Sequence, residues 1–224
     1  MPKTLKVKYE EMFPDEYKQA FENNPTAYLA IGSLEWHGHH NVLGLDTLKA
    51  WKILELVAQR TGGIVFPPLY LGLDGYPDLD IVKYPHKAYD CYHLDEGLLN
   101  NVIKSYVKRM IHIGFKTIYI LAGHYPNSKI AQSAIDEIKD VGIRMIVHIE
   151  PDLVAGEEGD HAGKWETSLM LDLFPEFVDL SRMDNQPDRL LGVFGTDPKD
   201  STKEYGQEMV KKIVAGIVAE VETT

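Results

Sequence analysis

The sequence predicts an α/β fold, a mostly parallel central sheet with helices on both faces. Three observations carry this. Short apolar runs of buried-strand length alternate with longer segments whose apolar residues recur three or four apart. Strands separated by helices need right-handed crossovers, which put helices on both sides of a parallel sheet. No internal repeat, low-complexity tract or linker interrupts the chain, so residues 1–224 read as one domain.

Taken in order, residues 27–31 (AYLAI) read as a buried strand ending at Gly32. A helix opens at Asp46, with Leu48, Trp51, Leu54, Val57 and Ala58 inward, and stops at Thr61-Gly62-Gly63. Ile64-Val65-Phe66 is a second short strand. The stretch 69–93, rich in Gly, Pro, Asp and Tyr, reads as an extended loop or hairpin near the active face. Residues 95–114 form a helix with Leu98, Leu99, Val102, Ile103, Tyr106 and Met110 inward. Residues 116–121 (KTIYIL) are a strand running into Ala122-Gly123-His124. A helix over 128–141, a strand over 144–149 and helices over 164–173 and 203–221 complete the chain.

Composition narrows the partners. The chain carries 34 acidic and 23 basic side chains, a formal charge of -11, and no Lys/Arg-rich stretch. That excludes nucleic acid and an anionic membrane surface. A hydrophobic share of 44% excludes disorder as the main state. No apolar run approaches the ~18 to 20 residues that span a bilayer, and the start Met1-Pro2-Lys3-Thr4-Leu5-Lys6 lacks the apolar centre of a secretory signal. Cys91 is the single cysteine, so no internal disulfide forms and a reducing compartment fits. The expectation is a soluble cytoplasmic protein acting on a small molecule.

Five of the nine histidines sit in three polar segments, each after an expected strand. These are Gly32-Ser33-Leu34-Glu35-Trp36-His37-Gly38-His39-His40 leading to Asp46, then Gly123-His124-Tyr125-Pro126-Asn127, then Asp160-His161-Ala162-Gly163-Lys164-Trp165-Glu166. Ligands of an open parallel sheet bind beyond the carboxyl ends of its strands, so all three segments are expected at one edge. Glu35 and His37 project to the same side of an extended backbone, and Gly38 permits a tight turn after them. Carboxylates with imidazoles suit zinc, manganese or iron, and the lack of cysteine ligands argues against a purely structural zinc. Competing readings are plainer. Asp46 would also serve as an N-cap. His148 reads as a satisfied core histidine, His86, His93 and His112 as surface or structural, His39 as a flank of the site, and Glu157-Glu158 as a solvated turn.

The run Gly32-Ser33-x-Glu35-x-His37-Gly38-x-His40, with Asp46 at its end, resembles the signature of the creatininase (creatinine amidohydrolase) family. Gly123-His124-x-x-Asn127 and Asp160-His161-Ala162-Gly163-x-x-Glu166-Thr167-Ser168 match as well. Gly192-Val193-x-Gly195-x-x-Pro198, with Ser201-Thr202 and Gly206, extends the likeness over residues 27–206. The resemblance implies a three-layer α/β/α sandwich, a homohexamer, and a dinuclear centre of two divalent ions, zinc first, with manganese or iron as alternatives. It implies that Glu35, Asp46 and His124 hold one ion, and His37, Asp46 and a glutamate the other, with Asp46 bridging. Creatininases proper carry a glutamate two residues after the histidine of the second motif, where this chain has Pro126. Glu166 is therefore the expected fifth ligand, and the departure argues against creatinine itself as substrate.

The implied activity is hydrolysis of a non-peptide C–N bond, in a cyclic amide or a formamide, by a metal-activated water. His161 and Asp160 are the nearest sources of a proton for the leaving group. His40 is expected to orient a ligand from behind, and Trp36, Tyr125 and Trp165 to wall a substrate pocket. Two other activities of the family remain open. One is opening of a keto-inositol ring, as in a 3-dehydro-scyllo-inosose, and the other is deformylation of a formylamino-pyrimidine nucleotide. Lys164 is the only basic group in the three motifs, which weighs against a phosphorylated substrate. A non-catalytic metal-binding protein is disfavoured, because all five positions carry residues able to ligate.

Overall fold

The strand that anchors the fold, β1 (Thr26–Gly32), is buried at all seven positions, as expected of a parallel strand covered on both faces. The structure, a computed structural model, describes residues 6–73, 94–139 and 142–223. Along the chain α1 (Pro14–Asn23) precedes β1, and α2 (Leu45–Thr61), β2 (Ile64–Val65) and β3 (Leu69–Tyr70) follow it. After these come α3 (Glu96–Ile113), β4 (Thr117–Ala122), α4 (Asn127–Asp136), β5 (Arg144–His148), α5 (Lys164–Leu173) and α6 (Lys203–Glu222). Among the described residues these strands pair in parallel, in the order β2-β1-β4-β5. β4 runs along one edge of β1 from Thr26 to Ile31. The other edge takes β2 opposite Ala27 and Tyr28, then β3 opposite Ile31 and Gly32. Between β2 and β3 stand Pro67 and Pro68, which have no N–H to give a ladder, so that edge is broken into two short strands.

Alternate side chains of the central strands feed two cores. Tyr28 and Ala30 of β1, with Tyr119 and Leu121 of β4, pack against α2, α5 and α6. Leu29 and Ile31, with Ile118 and Ile120, pack against α3 and α4, and Tyr17 and Phe21 of α1 close that side. This is the expected three-layer α/β/α sandwich.

Several details differ from the sequence reading. Leu69 and Tyr70, expected in a loop, form β3 because β1 still has an open edge there. The rest of that expected loop, with His86, Cys91 and His93, lies outside the described residues. α1 had no counterpart in the reading. Pro14 sits in its first turn, and Glu16 reaches back to the Phe13 N–H at 3.0 Å. α4 ends at Asp136 rather than 141, where acidic side chains would oppose the negative helix end and Glu137 turns to Lys104 of α3 at 2.6 Å. The inward face of α3 is Leu99, Ile103, Val107 and Met110, one step round from that expected, leaving Leu98 and Tyr106 exposed. His148 is satisfied but not in the core. It lies on the edge strand β5, 3.1 Å from Glu220.

Candidate metal centre

β1 and β4 are neighbours, yet the helices that follow them leave to opposite faces, α2 to one and α4 to the other. Such a switch point opens a crevice beyond the strand ends. The start of α2 is pressed against this crevice. A Cβ on Gly123 would collide with the Asp46 carbonyl oxygen, and one on Gly32 with the backbone and hydroxyl of Thr47. Glycine at both strand ends therefore lets Asp46 reach the site. α2 has Gly44 as its N-cap, with no side-chain cap. The Asp46 carboxylate is used elsewhere, which overturns the N-cap reading.

Glu35, Asp46 and His124 form one group whose ligand atoms could hold a metal ion, and His37, Asp46 and Glu166 form a second. Asp46 belongs to both. Its Oδ2 stands 3.0 Å from His124 Nδ1 and its Oδ1 3.0 Å from His37 Nε2. Glu35 Oε1 is 2.9 Å from His124 Nδ1 and 3.7 Å from His37 Nε2. Glu166 Oε2 is 3.8 Å from His37 Nε2. A third group, Glu35, His37 and His161, lies alongside.

The hydrogen bonds on the far sides of the rings decide what these atoms want. His124 Nε2 donates to the carbonyl of Leu73 at 2.5 Å. His37 Nδ1 donates to the carbonyl of Glu35 at 3.2 Å. Each neutral ring then turns a lone pair, not a proton, toward a carboxylate oxygen. Acceptor facing acceptor needs a cation between them, either a proton or a metal ion. Glu35 Oε1 makes the same point, being buried with no hydrogen-bond partner among the described residues. Without metal, protons fill the role. Burial alone would depress His37, but Asp46, then Glu166 and Glu35, hold its pKa up to about 9. His124 is raised well above its usual range against the same burial, mainly by Glu35 and Asp46. Asp46 is driven well below the carboxylate range by His37 and His124, although burial opposes this.

Around these groups sit the other residues singled out by sequence. His161 donates through Nε2 to the Trp36 carbonyl at 3.0 Å and turns Nδ1 to Glu35 Oε1 at 3.8 Å. Burial, then the neighbouring His37, lowers its pKa. The Asp160 carboxylate accepts the N–H groups of Trp165 at 2.7 Å and Glu166 at 3.1 Å, which ties down the start of α5. His40 bonds Thr167 Oγ1 at 2.9 Å and so joins the first segment to the third. Burial brings its pKa down to about 4. Tyr125 lines the cleft beside Pro126. Trp36 is buried, with its indole N–H on the Leu191 carbonyl at 2.8 Å. Trp165 faces away from the cleft into the core between α5 and α6.

Sequence reasoning missed two buried charges. Lys49 of α2 and Glu150, just after β5, are fully buried, and Lys49 Nζ is 2.5 Å from Glu166 Oε1. Helical spacing from Asp46 could have found Lys49, three residues on, had the inward face of α2 been taken to begin with the carboxylate. Asn127, present in a motif without a role, donates to the Leu71 carbonyl at 3.0 Å and accepts the Leu73 N–H at 2.9 Å. It holds the strand-end segment that meets His124.

A sequence model of the creatininase family, described as creatinine amidohydrolase, matches residues 10–221. The creatinine amidohydrolase of Pseudomonas putida is 27% identical over 231 residues, covering 84% of this chain and 85% of that protein. The 3-dehydro-scyllo-inosose hydrolase of Thermotoga maritima is 25% identical over 193 residues, covering 80% of this chain and 60% of that protein. Among solved structures, a zinc–zinc type of a mutant creatininase superposes with a TM-score of 0.80 at 24% identity, over 96% of this chain and 97% of that one.

Proposed function

The chain belongs to the creatininase family of hydrolases, and on that premise we propose that it is a metal-dependent amidohydrolase cleaving a non-peptide C–N bond of a small molecule. The observation that carries this is the sharing of Asp46 by two ligand groups, each with a histidine lone pair aimed at carboxylate oxygen. The donor set fits two divalent ions, with Glu35, Asp46 and His124 holding one and His37, Asp46 and Glu166 the other. Imidazole with carboxylate suits zinc, with manganese or iron as alternatives. Ions held there would lower the pKa of a shared water towards neutrality and polarise the scissile carbonyl.

The chain's own residues supply the rest. His161, fixed by its bond to the Trp36 carbonyl, keeps Nδ1 at the cleft, where it would take a proton from the attacking water and pass it to the leaving nitrogen. Asp160 holds the α5 N-terminus and thereby Glu166, and burial, then Glu166, raises its pKa to about 6, which supports it beside His161 as a proton source for the leaving group. His40 braces the first segment, and Tyr125 flanks the substrate. Homohexameric assembly belongs to the same reading and rests on the family membership. A cytoplasmic location is supported by the single cysteine, and no helix among the described residues is long and apolar enough to cross a membrane.

A second reading has its own support. Similarity to a 3-dehydro-scyllo-inosose hydrolase, together with Pro126 at the departure from creatininases proper, favours opening of a keto-inositol ring. A nucleotide substrate has less behind it. No Lys or Arg lines the cleft among the described residues, and Lys164 Nζ lies over the Tyr205 ring at 4.9 Å. The deciding experiment is metal analysis after reconstitution, followed by turnover of lactams, formamides and keto-cyclitols with products identified by mass spectrometry. Two ions per chain and cleavage of an amide C–N bond, seen as opening of a lactam to an amino acid or release of an amine and formate from a formamide, support the first reading. Ring opening of a keto-cyclitol alone supports the second, and absence of any bound ion overturns both.

A further inference from the structure

Behind the second ligand group lies a layer of charge that the proposed chemistry does not use. Lys49 Nζ is 2.5 Å from Glu166 Oε1, 3.6 Å from Glu150 Oε2 and 4.7 Å from the centroid of the Tyr125 ring. Lys49 and Glu150 are both 0% exposed, and neither Glu150 carboxylate oxygen has a hydrogen-bond partner among the described residues. A buried ammonium survives only when paired, and two carboxylates and an aromatic face supply that here.

The consequence falls on Glu166. Its Oε1 accepts from Lys49, and its Oε2 accepts the Ala162 N–H at 2.8 Å while lying 3.8 Å from His37 Nε2. Both oxygens are thus held, and only Oε2 faces His37. Lys49 has no hydrogen bond or ion pair with Glu35 or His124 among the described residues.

We propose that Lys49, held by Glu150, is the positioning residue of the second metal subsite, fixing Glu166 so that it offers one oxygen to the ion shared with His37 and Asp46. This rests on the metal-centre reading above. It also explains how a chain with Pro126 in place of a carboxylate completes that subsite. The ligand comes from α5, on the far side of the cleft, and needs a fixed rotamer to reach. An outer group that anchors a ligating side chain typically changes metal affinity about 10- to 100-fold.

The test titrates zinc into metal-free protein and reads the two binding steps separately. Wild type must first bind two ions; if it binds none, the metal-centre reading itself fails. The variant is the pair Lys49→Met with Glu150→Gln, which removes both members of the buried charge pair and so avoids stranding either one. The second ion should bind about 10- to 100-fold more weakly, while the first moves by no more than about threefold. Made in a Glu166→Gln background, which keeps only the first ion, the same pair should leave that ion's affinity within about threefold, because the effect runs through Glu166. If the pair does not fold, Lys49→Leu with Glu150→Leu is read in the same way. Wild type with two ions and a folded variant with two unchanged affinities would overturn the inference and leave the metal centre standing. Equal weakening of both ions would overturn it too, since Lys49 would then serve the whole cleft.

Discussion

The two ligand groups that share Asp46 are built on different foundations. Glu35, Asp46 and His124 stand where β1 and β4 end, and β1 and β4 pair along their length. His124 is braced by the Leu73 carbonyl, and Asp46 Oδ2 by Ser33 Oγ at 2.7 Å. His37, Asp46 and Glu166 instead close across the cleft to α5, with Glu166 held by Lys49 and the Ala162 N–H. One group is fixed by the sheet, and the other by side chains meeting from separate segments. The difference predicts that the first ion depends on strand-end geometry and the second on the α5 side.

The largest effect should come from the one residue common to both. Asp46→Asn keeps shape but removes the charge that both groups use. It should lose both ions and lower turnover by about 10³-fold or more, beyond the about 10- to 100-fold typical of outer groups. Metal analysis of the folded variant checks this, and retention of either ion at wild-type affinity would mean that Asp46 is not shared. Next comes Glu166→Gln. It should release the second ion and nearly all hydrolysis while the first ion and the circular dichroism spectrum stay as in wild type. Two ions and full turnover would place the second carboxylate elsewhere.

Acidity separates the metal-free from the loaded state. Folding raises His37 from its usual 6.5 to about 9 without metal, against the desolvation that would lower it, because Asp46, Glu166 and Glu35 surround it. A raised folded pKa adds stability that is complete below the unfolded value and is lost as pH climbs through the folded one. The metal-free Tm should therefore fall as pH rises from 6.5 to beyond 9. The loaded protein has its His37 lone pair committed to metal and should not follow that trend. Zinc affinity should rise over the same window, since binding displaces protons. A metal-free Tm that is level there would show that the histidines hold no protons.

Glu35 and His124 were legible because they lie within a few positions of strand ends, where apolar runs stop at Gly32 and Gly123, and Asp46 because it opens the helix that follows. The alternation of strands and helices gave the three layers for the same local reason. Lys49 and Glu150 were not legible. Each has the composition of solvent-facing chain, and only the approach of α2 to the loop after β5 makes them partners. Periodicity finds a helix but fixes its rotation loosely. Lys49 and Ile53 turned out buried, while Leu48 and Trp51 are only half-buried. The close approach at Gly32 and Gly123 sets that rotation, and helical spacing does not contain it.

The smallest expected effect is the sharpest on the comparison, because it addresses one oxygen of one carboxylate. Ser33 Oγ is fully buried and donates to Asp46 Oδ2, the oxygen that faces His124, while Oδ1 faces His37. Ser33→Ala removes that donor and leaves a buried Oδ2 less satisfied, at a stability cost of about 1 to 3 kcal/mol. Oδ2, the oxygen on the first group's side, then loses its one hydroxyl donor among the described residues, while Oδ1 keeps its contact with His37. The first ion should bind about 10-fold more weakly, the low end for an outer group. The second, still met by Oδ1, His37 and Glu166, should change by no more than about twofold. Two resolved binding steps in a zinc titration read both numbers at once. If the two affinities fall together, the Asp46 carboxylate moves as one rigid bridge and the separate foundations of the two groups do not reach the metals independently.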